Sequence, residues 1–199
     1  QELTKSLKGN KDIEKDMILL SQQVERCNET LKKLTLNPDI DDEFIQYDLT
    51  LSNYINEIIK SFENVSKKKF FYQNNQNTNP IKFKRSIEII YGLRNFIGNA
   101  NKFAKEKIFI TIYSDSEITE VTIEDDGEGF PKDILNKIGE PYIRSKEKNY
   151  KNNSGLGLGI FIGGTLLERN FAKVTCRNSI TRNGAEVIIK WKNKDLLSI

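Results

Sequence analysis

The 199-residue sequence contains no histidine. That absence removes Ser-His-Asp and Cys-His nucleophilic catalysis, and most zinc sites with them, because imidazole is the base or the ligand in each. Cysteine is scarce as well: Cys27 and Cys176 are the whole complement, too few for a disulfide framework and too far apart for zinc-ligand spacing. A reducing cytosol is the default expectation. No apolar run approaches the ~18–20 residues that span a bilayer, and the start lacks the apolar core of a signal peptide, so the chain reads as soluble. Neither sign of charge dominates: 31 basic and 28 acidic residues leave a formal +3, too balanced to announce a nucleic-acid binder. The sequence opens on Gln1 rather than Met and so reads as a processed or excised piece.

The length suits one compact domain, alone or with a helical appendage. After Gly9-Asn10, apolar residues recur at Ile13, Met17, Leu20, Val24, Cys27, Leu31 and Leu34. Alternating steps of four and three are the heptad seam of a helix that packs on other helices. The stretch stops at Asn37-Pro38, and the acidic connector "NPDIDDEF" marks a boundary.

Beyond it, "SNYINEIIKSFENV" predicts a helix capped by Ser52, with Ile55, Ile58, Ile59, Phe62 and Val65 on one face. "KKKFFYQ" reads as a strand and Ile81 to Lys84 as a second, short one. Helical periodicity runs from Ser86 to Ala104 despite two glycines, each costing roughly 1 kcal/mol relative to Ala, which points to close packing. "KIFITIY" and "EITEVTIE" alternate as a hairpin, "KDILNKI" reads as a short helix, and "RSKEKNYKNN" as a loop. A helix, "GIFIGGTLLERN", and two strands, "AKVTCRN" and "AEVIIKW", complete the chain. Helices and strands interleaved around one mostly antiparallel sheet define an α/β two-layer sandwich.

Three short runs carry chemistry. In "NSGLGLGIFI", glycines alternate directly ahead of a helix. The unpaired N–H groups and the dipole of a helix start attract phosphate, and glycine lets oxygens approach the backbone; equally, such glycines serve a tight loop. The run is neither a P-loop nor a Rossmann fingerprint. In "EDDGEGFP", Asp125 and Asp126 end a strand and Gly127 and Gly129 follow. A carboxylate there accepts a hydrogen bond from an exocyclic amine such as that of adenine, while glycines let the backbone press on a ring; the plain alternative is a turn. On the long helix, Asn95, Asn99 and Lys102 share a face. Amide oxygens are hard ligands suited to Mg²⁺ and an ammonium holds a phosphate oxygen; the plain alternative is a solvated polar face.

In this order, "NFIGNANKF", "DDGEGF" and "GLGLGIFI" resemble the N, G1 and G2 boxes of the GHKL (Bergerat-fold) ATP-binding domain. Sensor histidine kinases, gyrase, the heat-shock chaperone of ninety kilodaltons and mismatch-repair ATPases share that domain. The resemblance covers about residues 48 to 192, and "GEPYIRSK" sits where the family has its F box, with Ile138 for the usual Phe. It implies a mixed, mostly antiparallel sheet with helices on one face, and ATP and Mg²⁺ as cofactors. Asn99 would ligate Mg²⁺, Asn95 and Lys102 would contact phosphates, Asp125 would bind the adenine amine, and Phe103 would line its pocket. Gly155, Leu156, Gly157, Leu158 and Gly159 would cradle the triphosphate beneath a lid spanning 139 to 154, with Arg144 and Lys146 reaching the phosphates. The hydrolysing branches of the family have a Glu where this chain has Asn95, and an amide cannot be that base. No residue is expected to act as acid or base, which favours phosphoryl transfer by positioning and charge neutralisation.

"QVERCNETLKKL", "IYGLRNFIGNANKFA" and "GLGLGIFIGGTLLERN" further resemble the RegB/PrrB redox-responding sensor kinases. That likeness implies four segments: residues 1–36 as part of a dimerisation and phosphotransfer bundle, 37–47 as linker, 48–192 as the catalytic domain and 193–199 as a tail. The phosphoacceptor His would lie on a preceding helix, so this piece would bind ATP without phosphorylating itself. The likeness also implies a homodimer through the N-terminal helices, a response regulator receiver domain as partner, no nucleic acid, and a membrane-anchored parent with this portion in the cytoplasm. Cys27 would carry the redox response; as an alternative it is a small apolar filler of the seam. Cys176 is expected in the core. Two other functions stay open: an ATPase of the same fold, disfavoured by Asn95, and a binding module in which the boxes survive as scaffold.

Overall fold

The computed structural model describes residues 50–76, 80–83, 86–143, 145 and 157–198, all within the unit Gln46–Ile199. The heptad stretch with Cys27 and the acidic connector lie outside the described residues.

The first helix, α1 (Leu51–Glu63), buries Leu51, Tyr54, Ile55, Ile58 and Ile59, steps of three and four that make one apolar stripe. Its cap is Thr50 rather than Ser52. The Thr50 hydroxyl accepts from the Asn53 amide at 3.3 Å while the Asn53 side chain accepts from the Thr50 amide at 3.0 Å, a reciprocal pair that satisfies two orphan donors. Ser52 is instead engaged by Asn74 Nδ2 at 3.0 Å. Val65 falls beyond the helix and is exposed. Strand β1 (Lys69–Gln76) follows. Of the second short strand expected at 81–84, the described residues keep only a bridge at Phe83, whose ring packs edge-on against Tyr54 at 5.5 Å.

Helix α2 (Ile87–Phe103) is capped by Ser86, whose side chain accepts from Ile89 N. Ile89, Gly92, Leu93, Phe96, Ile97 and Ala100 form its buried stripe. It carries the chain across to β2 (Lys107–Ser114), which lies parallel to β1 from Lys69↔Lys107 to Gln76↔Ser114. The expected hairpin then forms: β3 (Ile118–Asp125) runs antiparallel to β2. The stretch expected as a helix at 132–138 shortens to one 3₁₀ turn, Leu135–Lys137. Helix α3 (Gly159–Arg169), β4 (Lys173–Asn178) and β5 (Ala185–Lys192) complete a five-stranded sheet in the order β1-β2-β3-β5-β4. A final turn of helix, α4 (Asn193–Leu196), continues past 192 with Asn193 and Leu196 buried.

Strict alternation decides the layers. Ile108, Ile110 and Ile112 on β2, Val121 and Ile123 on β3, and Val187, Ile189 and Trp191 on β5 are buried, and register puts them in rows such as Ile110, Ile123 and Val187. One face of the sheet is therefore core and carries the helices, while Glu120, Lys190 and Arg177 mark the solvated face. This is the two-layer α/β sandwich expected. Among the described residues no helix is long and apolar enough to cross a membrane.

Helices α2 and α3 cross in close contact. A Cβ on Gly92 would sit 2.5 Å from Leu167 Cγ, and one on Gly163 would sit 3.0 Å from Asn95 Cβ. At the far end Asn170 ties the helices together: its Nδ2 donates to Glu88 at 2.6 Å and its Oδ1 accepts from Ser86 Oγ at 3.1 Å. These contacts fix the register of α2 on α3 and so the relation between the polar face of α2 and the glycine-rich start of α3.

Helix propensity alone would credit Gly92→Ala with about 1 kcal/mol of stabilisation, whereas forcing a methyl into the buried Leu167 contact costs about 1–3 kcal/mol. Packing should win. We expect thermal unfolding of Gly92→Ala to show a Tm lowered by several degrees; a raised Tm would mean that the helix contact yields freely.

Candidate functional site

Asp125 occupies the last core-facing position of β3, in line with Thr119, Val121 and Ile123. Its neighbour on β2 is Ile108. A carboxylate on an apolar row is costly unless hydrogen-bonded, and two backbone groups serve it. Gly127 N donates to Asp125 Oδ1 at 2.8 Å and Ala185 N donates to the same oxygen at 3.2 Å. Neither approach leaves space for a side chain: a Cβ on Gly127 would lie 2.4 Å from Phe103 O, and one on Gly184 would lie 2.0 Å from Asp125 O. Both bonds fall on Oδ1, so among the described residues Oδ2 is the acceptor left for another molecule. Burial raises the Asp125 pKa; the bonds from Gly127 and Ala185 oppose it, the charges of Asp126 and Glu124 add to it, and the net shift is upward.

Asp126 does different work. Its Oδ1 accepts from Lys105 N at 2.8 Å and Glu106 N at 3.0 Å, while Lys68 Nζ donates to Ala104 O at 2.8 Å and also to Lys105 O. The turn after α2 is thus clamped through its donors from one side and through its acceptors from the other. That turn positions Phe103 and Lys102. Burial lowers the pKa of the Lys102 ammonium, which lies 5.1 Å from the Phe103 ring centroid.

The polar face of α2 divides in two. Asn95 Nδ2 donates to Tyr91 O at 2.8 Å, and Asn95 packs beside Gly163. Among the described residues, Asn99 Nδ2 is buried with no hydrogen-bond partner. A buried amide left unpaired signals a missing partner. It stands opposite the start of α3, where a Cβ on Gly159 would come to 3.4 Å of it. The Leu158 side chain makes no capping hydrogen bond to α3, whose first N–H groups have no partner within the helix itself. Gly157 precedes it with φ +70°, and a Cβ there would lie 2.2 Å from Ile143 O.

These groups surround a cavity of about 170 Å³, roughly ten times the ~10–15 Å³ one water occupies on the same measure, so it suits an organic ligand. Its walls are apolar, with Phe96, Ile123 and Val187 from the core and Ile134, Ile138 and Ile143 from the loop after β3. Few convergent polar groups in an apolar cavity are the usual form of a small-molecule site. Of the residues expected from the sequence, Asn99, Lys102, Phe103, Asp125, Gly129, Gly157 and Gly159 line the cavity. Gly127 donates to Asp125, Leu158 holds the N-cap position of α3 without a side-chain bond, and Asn95 packs against Gly163. Arg144, Lys146, Gly155, Leu156 and Cys27 lie outside the described residues. Ile138, the departure from the usual F-box Phe, is among the lining residues. Cys176 is packed against the core as expected, with burial pushing its thiol pKa up to about 12.

Sequence reasoning passed over Lys68, Asn178, Gly184 and Ala185. Asn183-Gly184 was a legible turn signal, with Asn183 at φ +61°, yet nothing local said that the turn would rest on Asp125.

Because folding raises the Asp125 pKa, the folded state holds its proton more tightly than the unfolded chain. Stability then falls as pH rises from the ordinary carboxylate range through the raised value, and stays lower above it. Asp125→Asn keeps an acceptor for Gly127 and Ala185 without the charge. Its Tm at pH 7 should equal or exceed that of the wild type, with any gain shrinking near about pH 3; a lower Tm at pH 7 in thermal unfolding would contradict this account.

A family model described as "Histidine kinase-, DNA gyrase B-, and HSP90-like ATPase" matches residues 85–195, more than half of the chain. Sensor histidine kinase RegB of Cereibacter sphaeroides is 29% identical over 187 residues, which cover 89% of this chain and 40% of that protein. Sporulation kinase A of Bacillus subtilis is 39% identical over 61 residues, 31% of this chain and 9% of that protein. This chain therefore spans less than half the length of either relative. Among solved structures, the catalytic domain of histidine kinase ThkA superposes with a TM-score of 0.59 at 22% identity, over 73% of this chain and 96% of that one. With its fold, its cavity and this match in agreement, the chain belongs to the family of histidine kinase-, DNA gyrase B- and HSP90-like ATPases.

Proposed function

We propose that the chain is the ATP-binding catalytic part of a two-component sensor histidine kinase, which passes the γ-phosphoryl group of ATP to a histidine on a dimerisation helix and thence to the Asp of a response regulator receiver domain. One observation carries the nucleotide assignment: Asp125 has its Oδ1 held by two backbone N–H groups and its Oδ2 left to the cavity. An exocyclic amine, as on adenine, donates to that oxygen. Guanine presents a carbonyl at the same position, and two acceptors repel. Phe103 and the apolar walls take the ring, and the uncapped start of α3 behind Gly157 takes phosphate oxygens.

The unpaired amide of Asn99 supports Mg²⁺ as well. The oxygen and nitrogen of an Asn side chain exchange places by a flip, so the same buried position supplies a hard oxygen. Among the described residues no group of three or more His, Cys, Asp or Glu could hold a metal, which suits an ion that binds through one or two protein oxygens plus substrate phosphates. Mg²⁺ there supplies neutralisation of phosphate charge. Asn95, bonded to its own helix, carries no removable proton and no basic lone pair, which favours transfer to a protein acceptor over attack by an activated water. Positioning and electrostatics then supply the catalysis.

By resemblance, Arg144, Lys146, Gly155 and Leu156 would complete the phosphate cradle, and residues 1–36, joined by 37–47 to the 48–192 domain, would form the homodimer. Cys27 would give the redox response, the parent protein would be membrane-anchored, and this portion would be cytoplasmic. Calorimetry tests the core of the reading. We expect ATP to bind in preference to GTP, more tightly with Mg²⁺, and not to bind Asp125→Ala. With γ-labelled ATP the 199-residue chain, which has no histidine, should neither label itself nor release phosphate in repeated turnovers. Failure of the folded chain to bind ATP, or sustained phosphate release, would overturn the proposal.

A further inference from the structure

We propose that Asn178 is a positioning residue of the nucleotide pocket, holding the Gly129–Phe130 wall at the distance that ATP requires; this rests on the reading of the cavity as a nucleotide site. Asn178 is the last residue of β4 and is exposed, where a polar side chain ordinarily meets only water. Here its amide makes two bonds to one backbone unit 48 residues away in sequence. Phe130 N donates to Asn178 Oδ1 at 2.6 Å, and Asn178 Nδ2 donates to Phe130 O at 3.1 Å.

The clamp is selective for asparagine. It needs one acceptor and one donor, side by side and at that reach. Aspartate offers two acceptors and would set an oxygen against the Phe130 carbonyl. Serine offers a single atom. The clamp also explains the glycine it holds: Gly129 has φ +76°, and a Cβ there would lie 2.7 Å from Asn178 Oδ1. Gly129 and Phe130 both line the cavity.

The position of Asn178 couples this wall to Asp125. Its cross-strand partner is Ala185, whose N–H holds Asp125 Oδ1. One pair at the turn end of the β4–β5 hairpin therefore supports both the carboxylate that recognises the ligand and the Gly129–Phe130 stretch of the cavity wall. The hairpin end is itself secured, since Ser179 N donates to Gly184 O at 2.8 Å and Ser179 Oγ donates to Glu124 at 2.7 Å.

The experiment compares the 199-residue chain with Asn178→Ala, Asn178→Asp, Gly129→Ala and the double variant Gly129→Ala/Asn178→Ala, with Asp125→Ala as control. ATP affinity is measured by calorimetry and backbone amide exchange residue by residue without nucleotide. We expect both Asn178 variants to lose ATP affinity by about tenfold, the scale of two lost hydrogen bonds with compensation by water. The Phe130 amide should exchange faster while the amides of β3 and β5 keep their protection. Gly129→Ala should cost less affinity on the Asn178→Ala background than alone, because the clash is then gone. Asn178→Asp, nearly the same shape, covers the case in which the alanine variant folds poorly. Affinity within twofold of wild type in either variant would overturn the proposal, and so would a loss accompanied by faster exchange throughout the sheet. Absence of ATP binding by the wild type itself would overturn the nucleotide reading and this proposal together, an outcome distinct from wild-type binding that Asn178 does not affect.

Discussion

The geometry of the cavity depends on satisfying one buried carboxylate. Asp125 continues an apolar row of β3, where an ionised group without partners would cost several kcal/mol. The chain meets that demand with backbone, folding back after β3 so that Gly127 N reaches Oδ1 and bringing the β4–β5 turn across so that Ala185 N reaches the same atom. Each approach excludes a Cβ, at Gly127 and at Gly184. Satisfying one oxygen and leaving the other is what makes a structural necessity into a recognition element. Gly127 and Gly184 are thus required by the carboxylate they serve before they are required by any ligand.

The polar face of α2 illustrates the same economy in another form. Asn95 and Asn99 are one turn apart and chemically identical, yet the first is satisfied within its helix and the second is buried and unpaired. Their difference comes from α3. The contact at Gly92 and Gly163 brings the helices together, and the tie through Asn170 sets their register. Asn95 meets the flank of α3 at Gly163, while Asn99, unpaired among the described residues, meets its start at Gly159, where the Leu158 side chain provides no cap. A fold that leaves these groups unsatisfied is poised to pair them with a ligand.

Much of this was legible in the residues. The alternation of "KIFITIY" and "EITEVTIE" is the core and solvent alternation of β2 and β3, and Ser86 to Ala104 is α2 with its caps included. Asp125 stands out in the sequence because a carboxylate at a strand end can accept from an exocyclic amine and because "DDGEGF" resembles a nucleotide-binding box, although the run by itself reads equally as a turn. Other readings missed for physical reasons. The cap falls at Thr50 rather than Ser52 because Thr50 and Asn53 form the reciprocal pair, and Ser52 accepts instead from Asn74 of β1, 22 residues away. "KDILNKI" has helical spacing, but Ile134 and Ile138 are spent on the cavity wall, and only one 3₁₀ turn remains. Ile81 to Lys84 has strand composition, yet its described part keeps a single bridge.

What the sequence by itself determined was local: the period of each helix and strand, the turns that glycine permits, and the residue types able to meet an amine, a cation or a phosphate. Those properties follow from sterics within a few residues of chain, and a reader of the sequence has the same access to them as the folding chain. The tertiary structure alone decided which groups are left unpaired and what each glycine presses against. The bonds that do so join residues 48 and 60 positions apart, Asn178 to Phe130 and Ala185 to Asp125. Such pairings exist only once the sheet has set its register, since no local rule carries the position of one strand end relative to another.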